Sequence, residues 1–157
     1  MAKMTSLCYL EQNDRYLLLH RVKKEQDDNR GKWIGIGGKF EEGESPEDCM
    51  LREVKEETGL TVKEYRYRGI ITFVSDVCPT EYMHLFTATA WSGELADCDE
   101  GELAWVEKSK LEALPMWEGD RVFLDLLNRE IPFFSLKLTY TGEHLSSAVL
   151  NGEPVAY

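Results

Sequence analysis

Runs of β-branched and aromatic residues, punctuated by Asn, Asp, Gly and Pro, divide the chain into strands and turns, and two stretches of helical periodicity interrupt them. Leu7 to Leu10 and Tyr16 to Val22 flank Asn13-Asp14, a pattern that predicts a hairpin with an Asn/Asp turn. Val22 to Lys32 reads as a polar loop. Trp33-Ile34-Gly35-Ile36 reads as a short strand ending in Gly37-Gly38, followed by an acidic loop through Glu41, Glu42 and Glu44. Ser45-Pro46-Glu47-Asp48 is a helix start: Ser accepts orphan amides, Pro fits the first helical position, and acids suit the positive end of the dipole. Gly59 supplies the stop. Tyr65 to Val74 and Tyr82 to Ala90 are further strands, with a turn at Cys78-Pro79-Thr80, and Leu103 to Val106 is another. Lys108 to Leu114 and Asp120 to Asn128 read as helices, the second with Val122, Phe123, Leu126 and Leu127 on one side. Phe133 to Thr141 and Leu145 to Leu150 form a closing hairpin around Gly142, and the last few residues are expected to fray. The sum is an α+β fold: a mixed sheet with a central acidic helix and a C-terminal helix packed on it.

Composition narrows the function. The 157 residues show no internal repeat, low-complexity tract or linker, and are expected to form one domain, 1–157, compact from near residue 4 to near residue 150. Eighteen Lys and Arg against 29 Asp and Glu leave a net charge of −11, which repels long nucleic acid; Lys23-Lys24 with Arg30 and Lys32 is only a short basic cluster. No apolar run approaches the roughly 18 residues of a membrane span, so the expectation is a cytoplasmic protein without a membrane partner. Cys8, Cys49, Cys78 and Cys98 lie far apart without a Cys-x-x-Cys pair, which argues against zinc and redox motifs and for reduced, mostly core thiols.

The acidic helix carries the candidate chemistry. With Glu53 at zero, Glu56 falls near −60° and Glu57 near +40°, so three carboxylates share an arc of about 100°. Met50, Leu51, Val54 and Thr58 fall between about +60° and +160° and form the face to be buried. Like charges three and four residues apart are locally unfavourable by a few tenths of a kcal/mol per pair unless something neutralises them. A divalent cation does so, and a donor set of carboxylates and peptide carbonyls suits Mg²⁺ or Mn²⁺ better than zinc. In the loop Gly37-Gly38-Lys39, glycines allow close backbone approach and a lysine can pair with phosphate. Carboxylates, metal and lysine thus converge on a polyphosphate.

Gly38, five residues, Glu44, seven residues, then Arg52-Glu53-Val54-Lys55-Glu56-Glu57-Thr58-Gly59-Leu60 resembles the complete Nudix box at every position. Chance agreement is on the order of 10⁻⁸. The resemblance implies a Nudix-like α/β/α sandwich and Mg²⁺-dependent hydrolysis of a nucleoside diphosphate linked to another group, with water as nucleophile. It makes Glu56, Glu57 and the Gly37 carbonyl the principal metal ligands. Glu53 becomes either a ligand through water or the general base, with Arg52 and Glu44 supporting it. A further acid is expected from Asp97-Cys98-Asp99-Glu100, with Glu100 chosen. Outside the box the chain resembles MutT-type purine nucleoside triphosphate diphosphohydrolases, including the animal 8-oxo-dGTP diphosphatases. The likeness runs through Gly31-Lys32-Trp33, Gly35 to Lys39, His84-Leu85-Phe86, Glu100 with Trp105, and Met116-Trp117 with Asp120 and Phe123. It implies that Gly38 and Lys39 meet the substrate, that Trp117 stacks on the base and that Asp120 reads its edge. Two positions depart from the animal enzyme: Ile34 stands for an Asn and Gly119 for a second Asp, and both changes remove polar groups from the base site.

The reading is therefore a nucleoside triphosphate diphosphohydrolase that releases nucleoside monophosphate and pyrophosphate, with 8-oxo-dGTP the candidate substrate. The alternatives are a Nudix pyrophosphatase for ADP-ribose, a nucleotide sugar or a dinucleoside polyphosphate, and a non-catalytic nucleotide sensor. The sensor is disfavoured by the intact box carboxylates. Whether Lys23 or Lys24 touches the phosphates, how many metal ions act, and whether the chain is a monomer or a dimer stay open. His20, His84 and His144 read as structural.

Overall fold

In a computed structural model, which describes residues 1–23 and 29–157, the strands are β1 (Lys3–Gln12), β2 (Arg15–His20), β3 (Trp33–Ile34), β4 (Ile36–Lys39), β5 (Thr61–Ser75), β6 (Glu81–Ser92), β7 (Glu102–Glu107), β8 (Phe134–Thr141), β9 (His144–Leu150) and β10 (Glu153–Pro154). The helices are α1 (Pro46–Thr58) and α2 (Glu118–Asn128). β1 is the hub. Lys3 to Leu10 run parallel to β6, Thr5 to Cys8 pair antiparallel with β4 on the other edge, and the far end turns into β2. β2 continues to β3 and β7, while β6 leads through β5 to the parallel β8, then β9 and β10. The sheet is mixed, as the α+β reading requires.

Period-two alternation sorts the core into two layers. On β1 and β2, Cys8, Leu10, Leu17 and Leu19 face the cluster built around Met50 and Val54 of α1. Tyr9, Tyr16 and Leu18 face the cluster built around Phe123, Leu126 and Leu127 of α2. A helix on each face gives the α/β/α sandwich, and among the described residues no helix is long and apolar enough to cross a membrane. The four thiols are free, with Cys8, Cys49 and Cys98 buried.

Local chemistry sets the boundaries. Asn13 and Asp14 both have positive φ, 51° and 61°, the requirement of a two-residue type I′ hairpin. Ser45 and Asp48 form a capping box at the start of α1, and Gly59 ends it at φ 81° with its N–H on the Lys55 carbonyl.

Three expectations need correction. Trp33 to Ile36 is not one strand: the chain breaks at Gly35, so that β3 pairs with β2 and β4 with β1. Gly37, Gly38 and Lys39 are therefore strand residues rather than a loop, opposite Leu7, Ser6 and Thr5. A Cβ on Gly37 would sit 1.9 Å from the Ser6 carbonyl oxygen, so only glycine permits this pairing. Lys108–Ala113 is a 3-10 helix, because Pro115 holds Leu114 extended and leaves room for only a tighter turn. The C-terminus is tied down rather than frayed: Asn151-Gly152 adopts positive φ at both residues and returns the chain as β10 along β9, and the Val155 N–H reaches the Ala148 carbonyl at 3.0 Å.

Candidate active site

A cleft of about 1050 Å³ opens between the exposed edge of α1, strand β4 and the start of α2. At one end lie Gly37, Gly38, Arg52, Glu53, Glu56, Glu57 and Glu100, and at the other Trp117 and Asp120, so nearly all the candidate residues share one cavity. Glu44 stands behind them.

Arg52 organises the acidic end. Its Nε and Nη2 grip the two oxygens of Glu44 at 2.7 and 2.8 Å, Nη1 bonds Glu53 at 2.7 Å and Glu56 at 3.2 Å, and Nη2 also donates to the Lys39 carbonyl at 3.0 Å. This fork ties the loop before α1 to the helix and to the end of β4. The guanidinium and the Glu41 N–H hold the Glu44 carboxyl down to about 2. Glu56 is 59% exposed whereas Glu57 is 9% exposed, so the arc of acids runs from solvent into the core edge. Glu57 accepts the Gly37 N–H at 3.2 Å and hydrogen-bonds with Glu100, which also takes an Arg21 N–H at 3.0 Å. Burial first, and then the charges of Glu53 and Glu100, push the Glu57 carboxyl up to about 9. Burial likewise raises Glu53, and Arg52 opposes it.

This excess of negative charge is what a cation would relieve. Among the described residues at this end of the cleft the candidate donors are carboxylate and peptide oxygens, which fits a hard divalent ion. Among the described residues, no three acidic, histidine or cysteine side chains already stand as a metal cage, since Arg52 holds Glu53 and Glu56.

The opposite end is aromatic. Trp117 precedes α2, its Nε1–H bonds Asn29 Oδ1 at 2.7 Å, and its ring meets Tyr140 and Phe73 edge-on with centroids at 5.5 and 6.4 Å. Lys32 Nζ lies 4.3 Å over the ring and pairs with Glu143 at 3.4 Å, so one face of the indole carries an ammonium group. Desolvation pushes the Asp120 carboxyl up to about 7. Gly119 offers no room for a side chain, because a Cβ there would meet Leu138 Cδ1 at 2.6 Å and Tyr140 Oη at 2.7 Å.

Lys23 points away from the cleft onto the Cys98 carbonyl at 2.6 Å, and Lys24 lies outside the described residues. His20 stacks on Trp33, His84 is buried between Phe40 and Tyr67, and His144 is exposed. Sequence reasoning passed over Glu81 and Asn29. Glu81 is the first residue of an alternating strand and carried no motif, while Asn29 sat in a loop read only for its charges.

The model of the NUDIX domain matches residues 2–127. The chain belongs to the Nudix family. This Nudix hydrolase is 35% identical over 128 residues to the oxidized purine nucleoside triphosphate hydrolase of Danio rerio, covering 80% of each chain. It is 34% identical to the uncharacterized Nudix hydrolase YvcI of Bacillus subtilis, covering 87% of this chain and 85% of the relative. Its fold superposes on a MutT protein from Bacillus halodurans with a TM-score of 0.84 at 32% identity, covering 97% and 99% of the two chains. Nudix hydrolases generally use a divalent metal, in keeping with the oxygen donors here.

Proposed function

We propose that this Nudix hydrolase cleaves a purine nucleoside triphosphate to the monophosphate and pyrophosphate, with an 8-oxidised guanine nucleotide as the preferred substrate and Mg²⁺ or Mn²⁺ as the metal. The observation that carries the reading is the sharing of one cleft by the carboxylates of α1 and the Trp117–Asp120 pair. Names borne by relatives, an oxidized purine nucleoside triphosphate hydrolase and a MutT protein, agree with it.

In this reading Glu56, Glu57, Glu100 and the Gly37 carbonyl would hold the ion, and Glu56 would give up its contact with Arg52 to do so. When bound, the ion lowers the pKa of a coordinated water and offsets phosphate charge. Glu53, half-buried and aimed by Arg52, takes the proton from the attacking water. The new P–O bond forms as an anhydride P–O bond breaks and pyrophosphate leaves. Gly38 and Lys39 face the phosphates, Trp117 stacks on the base through its broad apolar face, and Asp120 accepts from ring N–H groups. The substrate is a small nucleotide rather than long nucleic acid, and residues 1–157 act as one domain.

The test is pyrophosphate release, with and without Mg²⁺, from normal and oxidised nucleoside triphosphates alongside ADP-ribose and a dinucleoside polyphosphate. Preference for 8-oxo-dGTP is expected; cleavage of ADP-ribose or the dinucleotide instead would overturn the substrate assignment while keeping the metal chemistry.

A further inference from the structure

We propose that Glu81 is a second reader of the base, which works with Asp120 to recognise the N–H donors that an 8-oxidised purine carries on two edges. The proposal rests on the reading of the cleft as a nucleotide site and assigns its selectivity to a residue outside the box.

Glu81 opens β6, where the register sets it beside Lys3 of β1 and Phe73 of β5. Alternation along the strand turns Glu81 and Met83 to the cleft, and both line it together with Phe73. The carboxylate is oriented. Buried Thr5 donates its hydroxyl to Oε2 at 2.8 Å, and among the described residues no other hydrogen bond to this carboxylate is made. One oxygen is thus anchored and the other is left for a ligand. Asp120 comes from a different element, α2, and its carboxyl also makes no side-chain hydrogen bond among the described residues. The two acids feel one another: the Glu81 charge adds to desolvation in raising Asp120.

Among the described residues of the lining around Glu81 and Asp120, several are apolar, Ile34, Phe73 and Met83 among them, and Gly119 has no space for a side chain. Two incompletely satisfied acids beside apolar surface are destabilising unless they meet donors. The chemistry of the ring then decides. Guanine presents N1–H and a 2-amino group on one edge and an N7 lone pair on another; oxidation at C8 converts that lone pair to N7–H. A carboxylate facing N7 repels the normal ring and accepts a hydrogen bond from the oxidised one, the kind of polar contact that gives large discrimination. Adenine, with lone pairs at both N1 and N7, is disfavoured on both edges.

The experiment compares wild type, Glu81→Gln and Glu81→Met in kcat/KM for 8-oxo-dGTP and dGTP with Mg²⁺, and in calorimetric binding of 8-oxo-dGMP and dGMP to the metal-free proteins. The amide of Gln can donate to the N7 lone pair of dGTP, and Met offers no acceptor for the N7–H of the oxidised ring. The 8-oxo-dGTP to dGTP ratio is therefore expected to fall at least tenfold in both variants, through a lower KM for dGTP in Glu81→Gln and a higher KM for 8-oxo-dGTP in Glu81→Met, with the same loss of preference in binding. A ratio within twofold of wild type in both folded variants would overturn the role of Glu81 while leaving the proposed reaction standing. Should wild type cleave neither triphosphate, yet bind 8-oxo-dGMP over dGMP in a Glu81-dependent way, the reaction falls and the base reader stands. A wild type that neither cleaves nor distinguishes them overturns both.

Discussion

A Cβ placed on Gly38 would lie 2.6 to 2.7 Å from the three carboxyl atoms of Glu53. The glycine is the space in which that carboxylate sits. Gly38→Ala therefore pushes a movable side chain, and the expected result is a melting temperature within about 3 °C of wild type, since the clash meets no backbone, but at least a hundredfold loss of kcat. Gly37→Ala behaves oppositely: its Cβ would strike the Ser6 backbone at 1.9 Å, so β4 must leave β1 and the melting temperature falls by much more. Thermal unfolding and steady-state kinetics on the two variants separate the outcomes; equal loss of stability in both would refute the distinction.

Glu53→Gln removes the proposed base but keeps shape and a hydrogen bond to Arg52. Turnover should drop by about 10² to 10⁴ with KM little changed. Near-normal kcat would reassign the base.

Arg52→Lys keeps the charge and loses the fork that spans Glu44, Glu53 and Lys39. Activity is expected to fall about 10- to 100-fold, as for other groups that aim a metal-site carboxylate. Full activity at saturating substrate would show that charge alone suffices.

Asp120 gives a pH signature. Its carboxyl is raised from 3.8 to about 7, so the folded protein holds a proton that the unfolded chain has lost. That contribution to stability is complete below about pH 4 and disappears as pH rises to about 7. Asp120→Asn lacks the loss: its melting temperature relative to wild type should climb between pH 4 and pH 7 and then level off. A flat difference across that window contradicts the assignment.

Chelation should abolish activity, and Mg²⁺ or Mn²⁺ should restore it. At a concentration about 100 times its Kd the ion adds about 2.7 kcal/mol of stability, roughly 5 to 10 °C in melting temperature. The rise should be largely absent in Glu57→Gln, as followed by differential scanning calorimetry.

The sequence announced α1 most clearly, because its caps, its acidic first turn and its buried stripe are local features that agree with one another. Trp117 and Asp120 were visible only through likeness to relatives, since nothing local distinguishes an aromatic residue in a pocket from one in a core. The division at Gly35 and the placing of Gly37 and Gly38 in a strand escaped notice because they depend on how closely β1 approaches, a relation between distant segments. Asn151-Gly152 is a local hairpin signal, and its positive φ at both residues is what returns the chain as β10. Glu81 was hidden for a different reason: an acid at the start of a strand is ordinary until the fold turns that face toward a cavity.

The position of β1 also bears on how the protein acquires its activity. Thr5 meets Glu81 across 76 positions of sequence, and within the stretch of β1 that pairs with β6, Thr5 to Cys8 must also accept β4 on the other edge before Gly37 and Gly38 are fixed. Pairings of such long range close slowly because loop entropy is lost before contacts compensate, so folding on a timescale of roughly milliseconds to seconds is expected. Because β4 pairs with β1, a nascent or partly refolded chain in which β1 is not yet seated would carry a capped helix whose Gly37 and Gly38 are still unplaced.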